Sequence, residues 1–173
     1  MVTALYPGRF DPVTMGHIDI ATRASSLFDE VVIGVAYSRS TIFTLDERMS
    51  FFQNALDKKK LTNMRVTPIE GLTVDSARSV GATAIVRGLR TGDFGYEFDM
   101  ALMNRHMAPD IESIYLMTSL ETLFVSSTRI RELAGFGRDV GDFVTEEVAI
   151  AIKEKFSDKE RVIDQQGGPS GVN

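Results

Sequence analysis

Apolar residues along the chain form two alternating patterns: short continuous runs, and stripes in which they recur at steps of three and four. The runs have the length of strands covered on both faces, and the stripes have the period of a helix face. Five strands are predicted, at Val2–Tyr6 (before Pro7-Gly8), Glu30–Tyr37, Met64–Ile69, Ala82–Val86 and Ile111–Met117. Helices are predicted from Gly16-His17 onward, after a Thr44–Glu47 capping box, and over 73–80, 94–107, 127–133 and 143–156.

Strands that alternate with helices in this way predict a parallel sheet with right-handed crossovers. The expected fold class is therefore α/β: a doubly wound, Rossmann-like, five-stranded parallel sheet with helices on both faces. Such folds bind ligands outside the carboxyl ends of the strands, near the point where the strand order reverses. The loops to inspect for chemistry are 7–17, 38–44, 70–73, 87–95 and 118–128.

The length of the chain, 173 residues, suits a single domain. Apolar periodicity continues to Phe156 and then ends, and the last residues are rich in Gly, Gln and Ser. We therefore predict one domain over residues 1–156 and a disordered tail over residues 157–173.

Composition removes several classes of function. The 19 basic and 24 acidic residues give a net charge of −5, which argues against binding nucleic acid or a membrane surface. The absence of cysteine excludes disulfides and thiolate chemistry, and two histidines, His17 and His106, are too few for a three-histidine zinc site. No apolar run has the length of a membrane span and no signal segment is recognisable, so a cytoplasmic location is expected.

The loop after the first strand, Gly8–His17, is glycine-rich and leads into a predicted helix. It contains neither GxGxxG nor GxxxxGK[ST], so dehydrogenase and P-loop kinase interpretations lose their main support. A helix N-terminus suits an anion, because its free N–H groups and dipole favour negative charge. His17 falls in the first helical turn, where its ring can face a bound phosphate. The alternative is a partly buried histidine bonded to the backbone.

Two arginines, Arg87 and Arg90, flank Gly88 at the end of the fourth predicted strand. Their guanidinium forks match phosphate oxygens, which favours a phosphate clamp. The alternative is a pair of ordinary salt bridges with Asp93 or Glu97.

Hydroxyl residues open the helix that follows the fifth strand, in the segment Ser126-Ser127-Thr128, with Arg129 and Arg131 shortly after. They fit a second phosphate site at a helix N-terminus. Equally, they fit an ordinary N-cap.

The patterns Thr14-x-Gly16-His17 and Ser126-Ser127-Thr128-x-x-Arg131 resemble the two signatures of the nucleotidyltransferase α/β-phosphodiesterase superfamily. Within it, the chain closely resembles the bacterial phosphopantetheine adenylyltransferases, from about Ala4 to Phe156. Further matching stretches are Tyr6–Thr14, Gly16–Ile20, Phe43–Arg48, Arg87–Arg90, Asp93–Glu97 and Met103–His106.

The resemblance implies a nucleotidyltransferase of coenzyme A biosynthesis that transfers AMP from ATP to 4′-phosphopantetheine, giving dephospho-coenzyme A and pyrophosphate. It implies that His17 and Arg90 are catalytic, and that 4′-phosphopantetheine contacts Arg9, Thr41, Thr73 and Arg87. ATP binding is implied for Arg9, Phe10, His17, Gly88, Leu89, Arg90, Glu97, Thr122, Leu123, Phe124, Val125, Ser126, Ser127 and Thr128.

Two further expectations concern the metal and the assembly. The resemblance implies that Mg²⁺ is held through ATP oxygens and water, without protein ligands of its own, and that the chain forms a homohexamer. For the Met100, Met103 and Met107 stripe, a place in the core is favoured over a subunit contact.

The chain departs from the family where substrate contacts are expected. Arg9 replaces a small hydroxyl residue, the short loop 38–42 lacks the family's lysine, and loop 91–93 is short, with Gly95 in place of a glutamate. We hypothesise that Arg9 supplies the charge of the missing lysine, with Arg39 as second choice. The alternative is that Arg9 points to solvent or pairs with Asp11.

Two other functions stay open. One is a different small-molecule nucleotidyltransferase, such as a nicotinate-mononucleotide adenylyltransferase or a cytidylyltransferase. The other is a non-catalytic nucleotide sensor that keeps the fold.

Overall fold

The computed structural model describes the backbone of residues 1–165 and the side chains of residues 1–157. Within them, five parallel strands in the order β3-β2-β1-β4-β5 form one sheet, confirming the predicted fold class. The strands are β1 (Thr3–Gly8), β2 (Glu30–Ala36), β3 (Met64–Ile69), β4 (Ala84–Leu89) and β5 (Glu112–Met117). The helices are α1 (Met15–Ser25), α2 (Leu45–Lys58), α3 (Thr73–Ser79), α4 (Phe94–Met107), α5 (Ser127–Gly135) and α6 (Glu146–Gln165).

Alternation along the central strands produces two apolar layers. Leu5, Val32 and Ile85 lie in one layer with the inner side of α3. Because successive strand residues point to opposite faces, their neighbours in sequence fill the other layer, against α1, α2, α5 and α6. Helices therefore cover both faces of the sheet, as predicted.

The strands β1 and β4 separate along their length. They pair only at Ala4 with Ala84 and Leu5 with Ile85, whereas β1 stays paired with β2 as far as Gly8. The sequence prediction ended this strand before Pro7, but Pro7 is accommodated because β1 has lost its neighbour on one side there. The separation opens a crevice where the strand order reverses.

The capping box predicted at the start of α2 is confirmed. The Thr44 hydroxyl accepts the Glu47 N–H at 3.2 Å, and the Glu47 carboxylate accepts the Thr44 N–H at 2.7 Å. These two bonds satisfy free donors of the first turn, so the helix begins at Leu45.

The last helix runs past the predicted boundary. The prediction placed a disordered tail from 157 because apolar periodicity stops there, but α6 continues to Gln165. Lys, Glu, Arg and Gln residues of good helix propensity follow Phe156, so the helix continues although the apolar periodicity ends. The rest of the predicted tail, residues 166–173, lies outside the described residues. No helix in residues 1–165 is both long and apolar enough to cross a bilayer.

Two of the three methionines of α4 lie outside the core, contrary to the prediction, and the third, Met100, is half-buried. Met103 is 57% exposed and Met107 38% exposed, and Phe94, Phe98 and Leu102 also face outward. The reason is that α4 has apolar residues on several sides, so its sequence pattern does not indicate which side meets the sheet.

Candidate active site

A cavity of about 490 Å³ lies at the carboxyl ends of the strands, at the crevice between β1 and β4. Its size suits a small-molecule ligand. The β4–β5 side is lined by His17, Arg87, Gly88, Arg90, Thr118, Thr122 and Val125–Thr128. The β2–β3 side is lined by Arg9, Tyr37, Ser40, Glu70 and Thr73.

His17 is held by the N-cap residue of α1. The Thr14 hydroxyl accepts the His17 N–H at 3.4 Å, and the Thr14 N–H donates to Nδ1 of His17 at 3.1 Å. A backbone donor aimed at Nδ1 requires a lone pair on that nitrogen. The ring hydrogen is therefore on Nε2, which becomes a hydrogen-bond donor for a ligand in the cavity.

The surroundings of His17 keep its ring neutral. Burial, and then the charges of Arg90 and Arg87, lower the pKa of His17 to about 4. The Phe10 ring packs edge-on against the imidazole, with 5.0 Å between ring centroids. A Cβ at Gly8 would lie 2.7 Å from Phe10, so a glycine at position 8 lets Phe10 support the histidine.

Arg87 and Arg90 line the cavity and also form the ion pairs of the alternative interpretation. Arg87 Nε donates to the buried Glu97 carboxylate at 3.1 Å, and Arg87 Nη1 donates to the Pro7 carbonyl at 3.2 Å. Arg90 Nε donates to Asp93 at 2.7 Å. Each arginine side chain is still about one third exposed, 35% and 34%, and so remains accessible to an anion.

The N-terminus of α5 faces the same cavity. The Ser126 hydroxyl accepts the Arg129 N–H at 3.2 Å, so the N-cap interpretation is confirmed. The Ser127 hydroxyl donates to the Pro12 carbonyl at 2.8 Å, which joins this helix to the loop after β1. Free N–H groups at such a terminus suit a phosphate.

Arg9 lines the β2–β3 side of the cavity. It does not pair with Asp11, whose carboxylate lies 3.8 Å from Arg131, and none of the carboxylates of residues 1–157 forms an ion pair with Arg9. Arg39, the second choice for the lysine's role, lies outside the cavity lining. Of the two alternatives for Arg9, pairing with Asp11 is therefore wrong, whereas the exposed Arg9 side chain agrees with the alternative in which it points to solvent.

Comparison with known proteins assigns the family. A family model described as cytidylyltransferase-like matches residues 5–133. A phosphopantetheine adenylyltransferase of Desulfitobacterium hafniense (strain Y51) is 46% identical over 159 residues, which cover 90% of this chain and 96% of the relative. One of Heliobacterium modesticaldum is 42% identical over 93% of this chain and 96% of the relative. The chain belongs to the phosphopantetheine adenylyltransferase family.

Solved structures of adenylyltransferases share the fold of this family member. A putative nicotinate-nucleotide adenylyltransferase of Vibrio parahaemolyticus matches with a TM-score of 0.66 and 17% identity, over 91% of this chain and 93% of that one. A bifunctional NMN adenylyltransferase/ADP ribose pyrophosphatase of Francisella tularensis matches with a TM-score of 0.64 and 14% identity, over 99% of this chain and 58% of that one.

Most residues implied by the family resemblance come together in the cavity. They are Arg9, Phe10, His17, Thr73, Arg87, Gly88, Arg90, Glu97, Thr122 and Val125–Thr128. Thr41, Leu89, Leu123 and Phe124 lie outside its lining. Leu89 follows Gly88 on the strand and so points to the opposite face, and Phe124 packs against Phe143 at 5.6 Å. Ligand binding stays a prediction for the residues that line the cavity as well as for these four.

Sequence reasoning missed residues that shape the site from behind. Arg48 is 1% exposed, and its guanidinium donates to the carbonyls of Arg9 at 2.6 Å and Ala36 at 2.9 Å. It thereby joins the ends of β1 and β2 to α2. The only sequence signal for this role of Arg48 was its position on the apolar stripe of α2, because the carbonyl groups that it contacts are distant in sequence.

Proposed function

We propose that this chain transfers the adenylyl group of ATP to 4′-phosphopantetheine, giving dephospho-coenzyme A and pyrophosphate. An oxygen of the 4′-phosphate attacks the α-phosphorus of ATP, and the bond from that phosphorus to the pyrophosphate oxygen breaks. The pyrophosphate leaves with the electron pair. The attacking phosphate is already ionised at neutral pH, so the reaction needs positioning and charge stabilisation rather than a general base.

The neutral, Nε2-protonated His17 in the two-sided cavity is the observation that carries this proposal. As charge grows on the α-phosphate oxygens, the Nε2–H donates to it, and Arg90 stabilises the phosphates. A donor that is oriented before reaction costs little reorganisation in the transition state. Two sides of one cavity, each with an arginine, accommodate two phosphorylated substrates.

We assign ATP to the β4–β5 side and 4′-phosphopantetheine to the β2–β3 side. The N-terminus of α5 and Arg90 supply donors for the triphosphate. Arg9 and Thr73 lie on the acceptor side, and Arg87, beside the crevice, can serve the acceptor phosphate. Phe10 is 3% exposed, so its contribution is support of His17 and backbone contact with ATP.

Mg²⁺ enters the proposal as a companion of ATP. Residues 1–157 contain no group of three His, Asp or Glu side chains placed to hold a metal. Four carboxylates line the cavity, those of Asp11, Glu70, Asp93 and Glu97. Asp93 and Glu97 form ion pairs with arginines, and Asp11 accepts two backbone N–H groups. Oxygen ligands from ATP and water suit Mg²⁺, which keeps several waters in most sites, and the bound ion would neutralise phosphate charge.

The cytoplasmic location stays a prediction.

We further propose that copies of this chain assemble through the outward face of α4, in agreement with the homohexamer that the family resemblance implies. Phe94 and Phe98 stack at 6.2 Å on this face, and Phe98, Leu102 and Met103 are each more than half exposed. Contiguous exposed apolar surface of this kind marks an interaction site.

Light scattering tests this assembly. It should give a multiple of the chain mass for the wild-type protein and a smaller mass for Phe98→Glu. A monomeric wild-type protein contradicts the proposed assembly.

A substrate panel tests the reaction and its alternatives. Pyrophosphate release is measured with ATP or CTP, and with 4′-phosphopantetheine or nicotinate mononucleotide. We expect release only with ATP and 4′-phosphopantetheine together. Preference for CTP or nicotinate mononucleotide would indicate another nucleotidyltransferase, and ATP binding without release would indicate a sensor.

A further inference from the structure

Asp11 is a buried carboxylate that none of the roles described above uses. It is 3% exposed, in the loop between β1 and α1. Its Oδ2 accepts the N–H of Ile42 at 3.0 Å, and its Oδ1 accepts the N–H of Phe43 at 3.1 Å. One carboxylate therefore holds two consecutive amides at the end of loop 37–43, whose residues Tyr37 and Ser40 line the acceptor side of the cavity.

The same residue is also bound from the ATP side. Arg131 of α5 places its guanidinium 3.8 Å from the Asp11 carboxylate and donates to the Asp11 carbonyl. Beside this contact, the Ser127 hydroxyl donates to the Pro12 carbonyl at 2.8 Å. Asp11 thus stands between the helix assigned to the triphosphate and the loop assigned to the acceptor.

We propose that Asp11 is a positioning residue that fixes the acceptor loop at a set distance from the ATP phosphates. The proposal rests on the proposed function, because it concerns how the two substrates are aligned. Attack on phosphorus requires the reacting atoms close and in line, and a displacement of about 1 Å costs on the order of 10²-fold in rate. A carboxylate with both oxygens occupied by amides of the loop provides this alignment without touching the reacting atoms.

Asp11→Asn isolates this role. An amide has a single acceptor oxygen, so only one of the two loop N–H groups keeps its bond, and the charge facing Arg131 is lost. We expect kcat/KM for 4′-phosphopantetheine to fall at least tenfold, with the loss in both KM and kcat, while the Kd for ATP stays within about threefold of wild type. A residue that only stabilises the fold would not separate the two substrates in this way.

Glu47→Gln is the matched control. The Glu47 carboxylate also accepts a backbone N–H just beyond this loop, that of Thr44, but it caps α2 and does not line the cavity. We expect it to lower thermal stability and leave both substrate constants unchanged. Hydrogen exchange at Ile42 and Phe43 is measured alongside, and we expect it to accelerate in Asp11→Asn and not in Glu47→Gln.

The outcomes are distinct. Unchanged kcat/KM for 4′-phosphopantetheine in Asp11→Asn, or an equal loss of ATP affinity, overturns the proposal. If Asp11→Asn does not fold, Asp11→Glu takes its place, because it keeps the charge and shifts the carboxylate oxygens by one methylene. Asp11→Glu must then show the same selective loss of kcat/KM for 4′-phosphopantetheine. If neither variant folds, Asp11 is required for folding and the proposal is wrong. A wild-type protein without turnover refutes the proposed function instead. In that case the proposal is tested by two measurements that need no turnover: hydrogen exchange at Ile42 and Phe43 and the Kd for ATP. Faster exchange in Asp11→Asn with an unchanged Kd for ATP supports a role of Asp11 in holding the loop, and unchanged exchange overturns it.

Discussion

The backbone N–H of Thr14 donates to Nδ1 of His17 across 3.1 Å, and this single bond fixes which ring nitrogen carries the hydrogen. Because Thr14 is also the N-cap of α1, the same residue starts the helix and sets the histidine tautomer. A histidine that is neutral at pH 7 and protonated on Nε2 is a hydrogen-bond donor that carries no charge of its own. Its interaction with phosphate therefore grows as negative charge develops.

We predict that His17 stays neutral over the physiological pH range. Burial and the neighbouring arginines lower its pKa to about 4, so the imidazole protonates only when the pH falls well below its ordinary pKa of about 6.5. Nitrogen-15 NMR of the free protein should show the Nε2–H tautomer from pH 6 to 8, with His106→Gln assigning the two histidines. A His17 titration centred between pH 6 and 7 contradicts this assignment.

Removal of the imidazole should affect turnover more than ATP binding. We expect His17→Ala to lower kcat by about 10²–10³-fold, the typical cost of one transition-state donor. The Kd for ATP should rise less than about fivefold, since the bond strengthens only as charge develops. His106→Ala, outside the cavity lining, is the matched histidine control, with its mass checked by light scattering because α4 carries the proposed assembly face. Near-normal kcat with a raised KM would make His17 a binding residue only.

Arg9 should contribute charge to acceptor binding. It lies on the β2–β3 side of the cavity and has no carboxylate partner among residues 1–157. We expect Arg9→Thr to lower kcat/KM for 4′-phosphopantetheine at low salt by tenfold or more, about 1.4 kcal/mol. Arg39→Thr removes the same charge outside the cavity lining and should have little effect. Unchanged or improved turnover in Arg9→Thr would refute the hypothesis that Arg9 replaces a lysine.

The ion pair of Arg87 with Glu97 should stabilise the fold as well as the site. Glu97 is 7% exposed, so Arg87→Met leaves a buried carboxylate without its cation. We expect the free energy of unfolding in urea to fall by about 3 kcal/mol, the lower end for a broken buried pair because Arg87 is one third exposed. The double variant with Glu97→Gln should recover part of this loss. The exposed pair of Arg65 with Glu30 offers a control, Arg65→Met, and an equal loss there would contradict the account.

Local sequence patterns predicted elements well where one physical signal dominates. The bounds of β3 and α4 are those predicted, Met64–Ile69 and 94–107, and the Thr44 capping box lies where its spacing indicated. Pro7 was misjudged because its tolerance depends on the parting of β1 from β4, which is a property of the sheet and not of the segment. The sequence of α4 likewise did not show which side of the helix faces the sheet, because apolar residues lie on several of its sides.

The site was predictable as a set of loops but not as a set of contacts. Strand-to-helix alternation placed His17, Arg87, Arg90 and Ser126–Thr128 at one edge of the sheet, and the structure brings them together. The supporting contacts of Asp11 span 31, 32 and 120 residues along the chain. Pairings at such separation follow from the assembled tertiary structure, so no local pattern indicates them.

The fate of the α-phosphorus tests the central claim most directly. The protein is incubated with Mg²⁺, ATP labelled with ³²P at the α position and 4′-phosphopantetheine, and the products are separated. We predict that the label appears in dephospho-coenzyme A, in amounts equal to the unlabelled pyrophosphate released, and that neither product forms when the acceptor is left out. Label recovered in AMP, or pyrophosphate released without the acceptor, would contradict adenylyl transfer by this site.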